Sequence, residues 1–262
     1  MSKRRWLLYS IFGIVFYLLF LIVELPAFWF AWGLNRYTQG SVQIDPIAGS
    51  LWNGNGRVVF YYPSTTPHDL GQARWQINPF WLLTGHVQVA LQTHHQDKRI
   101  TTTLQLTRTS FKLLDTDIEF PAAFVGQLHA PLSLISPQGR VKIRTSALLV
   151  TAEQMEGAAQ MEWLNAGSSL SSVQPLGDYR LDITGADTIA NLRLTTLRGD
   201  LELTGQGQVQ LRTGQLQISG FALPRARIGE LEPLLKMFGN DEGGGKRKLL
   251  IIARLPPMLA SN

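Results

Sequence analysis

The histidines His68, His86, His94, His95 and His129 are the first residues to weigh for chemistry. His94 and His95, with Asp97 beyond them, could suggest a metal site. Adjacent strand residues point to opposite faces, however, and the pair falls in a polar turn between two alternating stretches. A solvated hairpin tip is the better reading, since no metal spacing pattern accompanies it. Gly243-Gly244-Gly245-Lys246 has the look of a phosphate loop, but Asn240 stands where the first glycine is needed. Arg247 occupies the Ser/Thr position that would bind magnesium. The carboxylate pairs Asp115/Asp117 and Glu230/Glu232 lie in polar segments with nothing apolar nearby to raise a pKa. There is no H-x-x-x-H, G-x-S-x-G or D-x-D-x-D-G pattern, and no cysteine. Disulfides, thiolate metal sites and cysteine nucleophiles are therefore excluded. The expectation is a chain with no catalytic residue, no metal and no cofactor.

Charge excludes another class. The net charge is +5, but Lys3, Arg4 and Arg5 cluster at the N-terminus; from Arg36 onward there are 21 basic and 18 acidic residues. A nucleic-acid reader needs basic residues gathered on one face. Here they are interleaved with Gln, Thr and aliphatic residues, so no nucleic-acid partner is expected.

The elements that would carry any site are strands. Val87, Val89 and Leu91 alternate with His86, Gln88 and Gln92. Ile100, Leu104 and Leu106 alternate with Thr101, Thr103 and Gln105, and Val141 and Ile143 with Lys142 and Arg144. Strict alternation marks strands with one buried and one wet face. From Tyr179 to Gly220, apolar pairs recur at Leu181/Ile183, Leu192/Leu194, Leu201/Leu203, Val209/Leu211 and Leu216/Ile218. Gly185-Ala186-Asp187, Arg198-Gly199-Asp200, Gly205-Gln206-Gly207 and Thr213-Gly214 read as the turns between them. Gly49, Gly126 and Gly199 each precede an apolar strand residue by two, a weak repeat that any hairpin protein can show. Asn78 to Gly85 reads as a short helical or turn corner. Ile228, Leu231, Leu234, Leu235 and Phe238 form a helical stripe, with Pro233 in its first turn. Lys246 to Pro256 reads as a last strand with Leu249 to Ile252 buried.

Ahead of the strands, Trp6 to Val23 is free of charge and long enough, against the roughly 17–25 residues required, to cross a bilayer as a helix. A cleaved signal peptide has a shorter apolar core and a small-residue cleavage site; ELPAFWFAWG does not supply one. Lys3, Arg4 and Arg5 precede the span and Arg36 is the first basic residue after it, which places the N-terminus in the cytoplasm. Phe28, Trp29, Phe30 and Trp32 have the character of a membrane-interface belt. The expected organisation is a cytoplasmic tail (1–5), a transmembrane helix (6–24), an aromatic interfacial linker (25–40) and a β domain (41–262). The fold class is mainly β: one membrane helix, then a large, curved antiparallel meander with one or two short helices.

Several stretches match a known family in order and spacing. They are Ile47-Ala48-Gly49-Ser50-Leu51-Trp52-Asn53-Gly54, Arg74-Trp75-Gln76-Ile77-Asn78-Pro79 with Leu83-Thr84-Gly85, Gly157 to Trp163, Val173-Gln174-Pro175-Leu176-Gly177-Asp178-Tyr179, and Gly199 to Gly205. The chain resembles the type II secretion system protein N (general secretion pathway protein N) family from the anchor to Gly239. The family pattern has Pro where this chain has Asp200, a change that bears on turn stiffness. The resemblance implies a Gram-negative inner-membrane protein with a periplasmic domain, working in export of folded proteins across the outer membrane. Its partners would be other type II secretion inner-membrane components and membrane lipid, and the sequence leaves a homo-oligomer open. The apolar strand face, including Leu181, Leu192, Leu201 and Leu211, is either core or a groove. If a groove, an anchored lipid-binding or lipid-transfer protein is the alternative function.

Overall fold

The computed structural model describes residues 3–38, 40–61, 67–80, 85–95, 98–128, 136–236, 239 and 241–254. The chain opens with α1 (Lys3–Val23) and α2 (Phe28–Tyr37). The strands β1 (Val42–Gly49), β2 (Asn53–Phe60), β3 (His68–Ile77), β4 (Val87–His95), β5 (Lys98–Leu106) and β6 (Ser110–Pro121) come next. After α3 (Ala122–Leu128) come β7 (Gln138–Thr151), β8 (Met155–Gly167), β9 (Gly177–Asp187), β10 (Ile189–Gly199), β11 (Leu201–Gln210) and β12 (Gln215–Pro224). Helix α4 (Ile228–Lys236) and β13 (Arg247–Arg254) finish the described chain. All 13 strands belong to one antiparallel sheet whose spatial order is the sequence order. The mainly β fold class and its meander are thus as the alternation implies, because strands so close in sequence can be joined only by hairpins.

The chain falls into two compact units: residues 1–84 with 89–99, and residues 85–88 with 100–262. In the first, Ala27, Ile44 and Trp75 are buried together, with Phe30, Ala31, Leu34, Val58 and Leu91 packed around them. In the second, one cluster gathers Leu176, Tyr179, Leu201 and Ala222 with Leu231, Leu234 and Leu235 of α4. Another runs along the strands through Leu148, Val150, Met155, Ala190, Leu192 and Val209.

Helix α1 is 21 residues long. Among the described residues, no helix is long and apolar enough to cross a membrane.

Several expectations need correction. Gly205-Gln206-Gly207 is not a turn but the middle of β11, so four strands, not five, cover Tyr179 to Gly220. These glycines let β12 approach closely: a side chain on Gly207 would run into the Gln217 carbonyl. Gly126 precedes no strand, since it lies in α3. The aromatic stretch after the anchor folds into α2. Pro233 sits in the second turn of α4, where its missing N–H removes one helical hydrogen bond. Leu249 is buried, but Leu250, Ile251 and Ile252 are 54%, 39% and 65% exposed, because no described element covers them. Only Pro79 and Phe80 of the Asn78–Gly85 corner form a tight helical turn; its residues 81–84 lie outside the described residues, as do Asp97, His129 and Phe238.

Candidate functional site at the first hairpin

The turn between β1 and β2 closes on the end of α1. A helix leaves its last four carbonyls without intrahelical partners. One of these, the Ile22 carbonyl, accepts the Trp52 indole N–H at 2.7 Å. The Leu51 amide donates to the Leu25 carbonyl at 2.7 Å and the Ala27 amide to the Gly49 carbonyl at 3.1 Å. Pro26 and Ser50 form a bridge between them. The hairpin therefore ends where the helix ends.

Trp75 of β3 holds that turn from behind. Its indole N–H donates to the Leu51 carbonyl at 3.1 Å, the Ile77 amide donates to the Trp52 carbonyl at 2.6 Å, and its ring is 1% exposed. The Phe30 ring stacks on it with centroids 4.6 Å apart. Gly54 lies under the same indole, and Gly49 turns the chain at φ +95°, a left-handed value that favours glycine. Leu51, Trp52, Gly54 and Trp75 are thus one interlocked group.

Of the expected interface residues, Phe28, Trp29 and Trp32 are exposed along α2. Phe30 is not with them: it faces inward onto Trp75, because residues one apart on a helix project about 100° apart. Lys3, Arg4 and Arg5 open α1. Pro79 begins the short turn in which the Asn78 side chain accepts the Phe80 amide at 3.0 Å, and Gly85 takes φ +75°.

The remaining motif residues meet in the second unit. Tyr179 Oη donates to the Leu201 carbonyl at 2.9 Å, and its ring lies 6.1 Å from that of Trp163. The Trp163 indole donates to the Gln138 carbonyl at 2.7 Å. Burial, reinforced by the Asp178 and Asp200 carboxylates, holds the Tyr179 hydroxyl well above the ordinary phenol range. Asp178 accepts the Asn165 amide at 2.6 Å and pairs with Arg198. Leu176 is core, Pro175 precedes it, and Gly177 passes so close to Gly199 that neither position has room for a side chain. Leu201 shares the cluster with α4, whereas Leu181, Leu192 and Leu211 line the second cluster.

On the opposite, wet face, charges alternate across neighbouring strands. Asp117 meets Lys142 at 3.2 Å, and Glu162 meets Arg144 at 3.6 Å and Arg180 at 2.8 Å. A shallow concavity of about 430 Å³ here is lined by Asp117, Arg144, Gln160 and Asp182 among others. Asp117 and Glu232 are therefore ion-paired rather than merely solvated. Sequence reading also missed Arg247: it is buried and reaches Glu232 at 3.2 Å and Asp241 at 2.8 Å. The Asp241-x-Gly243 turn, an Asx motif, was the available signal, since Asp241 also accepts the Gly243 amide at 2.7 Å. Among the described residues, no group of His, Asp and Glu could hold a metal.

Fold and site together define a mainly β protein whose distinctive residues lock hairpins to one another and to a leading helix. Residues 40–249 match the type II secretion system protein N family, and the chain belongs to it. No curated protein and no solved structure matches the chain.

Proposed function

We propose that this type II secretion component is a non-enzymatic, single-pass inner-membrane protein whose β region works in the periplasm through protein–protein contacts. The supporting observation is α1 itself. Its described apolar side chains stand exposed on all sides, Tyr9, Ile11, Phe12, Val15, Phe16 and Phe20 among them. A helix apolar all round needs lipid or protein around it. The β1–β2 turn is hooked to its C-terminal end, so the strands begin directly at the membrane surface. Phe28, Trp29 and Trp32 then lie where aromatic side chains favour the headgroup layer. The cationic Lys3-Arg4-Arg5 end stays in the cytoplasm. Family membership supports partners among the other secretion components.

Reporter fusions test the topology. Alkaline phosphatase fused after Arg254 should be active, and green fluorescent protein there should be dark; the reverse result would sink the reading. Gentle extraction of the full-length protein should bring other secretion components with it in native mass spectrometry.

A lipid-handling role is the second reading. It is favoured by the apolar row of Leu148, Leu181, Leu192 and Val209, whose cluster contains no helical residue. Those residues bury one another, however, and the concavity of the same unit is shallow and mixes Ala158, Ala159 and Ile183 with the charged Asp117, Arg144 and Asp182. Stoichiometric lipid retained by the extracted protein would bring this reading forward.

A further inference from the structure

The two end strands of the sheet are treated differently. β1 packs against α2, which shields that end. Among the described residues β13 has one strand neighbour, β12. Leu250 and Ile252 pair with Ser219 and Gln217, so they lie on the face that β12 makes polar. Both are more than half exposed. Natural sheets protect an edge with charges, proline, bulges or a covering element; from Leu249 to Ala253 this strand carries no charge and no proline, its register has no bulge, and among the described residues no element covers it.

The strand is also held ready. Arg247, at its start, is buried between Glu232 of α4 and Asp241, and its register with β12 runs unbroken from Arg247 to Arg254. A preformed edge loses little freedom when another strand is added to it.

Charge selects the occupant. The exposed Lys248 and Arg254 flank the apolar centre, Arg247 being already paired within the chain, and the strand contains no acidic residue. Two copies paired antiparallel with Leu249–Ala253 aligned on each other would set Lys248 against Arg254, and like charges in that position repel. We propose that β13 receives, by strand addition, an extended segment of a partner protein with an apolar centre and acidic residues at its ends. The proposal rests on the reading of the chain as a contact protein, but its test does not depend on the direction of α1 in the membrane or on copurification.

The experiment is amide hydrogen exchange on the full-length protein in zwitterionic nanodiscs. The probe is a synthetic peptide of alternating valine and threonine with glutamates at both ends; the control peptide has lysines there. The glutamate peptide should slow exchange in residues 248–253 about tenfold, and the lysine peptide should not. The double variant Leu250→Lys/Ile252→Lys should abolish the slowing while exchange in β9 to β11 stays unchanged. No slowing, or equal slowing by both peptides, overturns the proposal. So does protection that needs only phosphatidylglycerol in the nanodisc, which makes the edge a membrane contact. Protection that grows with protein concentration alone would make a second copy the occupant and equally overturn it.

Discussion

The Trp75 indole fills the space that a side chain on Gly54 would need. The ring cannot retreat easily, because Leu51 holds its N–H and Phe30 is stacked on its face. Gly54→Ala should therefore destabilise the first unit by about 1–3 kcal/mol, the usual cost of overpacking. Gly33→Ala in α2, where nothing lies within 4 Å, should be neutral or raise stability by up to ~1 kcal/mol. Thermal unfolding of the two variants in detergent, followed by tryptophan fluorescence, compares them directly.

Trp52→Phe removes the indole donor and leaves the Ile22 carbonyl without it. The helix end should loosen from the hairpin, at a cost of about 0.5–1.5 kcal/mol. With no native cysteine to interfere, spin labels on cysteines introduced at Tyr17 and Asn55 report the coupling. Their distance distribution should be narrow in the parent and broad in the variant; an unchanged width would show that the backbone bonds suffice.

Tyr179 makes stability depend on alkaline pH. Its folded pKa lies above the unfolded value of about 10, so the stabilisation is complete below pH 10. It is lost progressively above that, as the unfolded chain releases a proton that the folded chain retains. Tyr179→Phe should flatten the fall in denaturation midpoint above pH 10. It should also cost about 1–3 kcal/mol at neutral pH, because the buried Leu201 carbonyl loses its donor.

At the acid end, the Arg247 guanidinium and the Gly243 amide hold Asp241 below its ordinary value of 3.8. The stabilising contribution of this turn is present above pH 3.8 and is lost as the pH falls through the lower folded value. The Gly243 and Gly245 amides, both donors to Asp241, should shift together in NMR spectra below pH 3.8. Asp241→Asn should abolish that titration.

Much of this fold is legible in the sequence because every strand pair is local and alternation has a period of two. Val141 is buried and Lys142 is ion-paired just as their positions suggest. What escapes is what depends on a second element. Helix α2 hides because its inner face, Phe30 and Leu34, and its outer face, Trp29 and Trp32, are equally apolar, so no polar stripe reveals a helix. Gly205 and Gly207 mislead because glycine marks a turn and a close strand approach alike. The Leu250-Ile251-Ile252 run reads as buried, since sequence alone cannot tell a central strand from an uncovered end. At the first hairpin, the motif residues are visible, but that Trp52 reaches back across the chain to Ile22 is not.

The strand order has one more consequence. Every strand finds its partner in the one made just before it, so no hairpin waits for a distant segment before it can form. Such a chain can be knitted row by row from its N-terminal end as it emerges, each finished row serving as the template for the next. Its low sequence separation between contacts favours fast assembly. Among the described residues β13 is the last row, and the edge it presents is shaped like the template every earlier row offered to its successor.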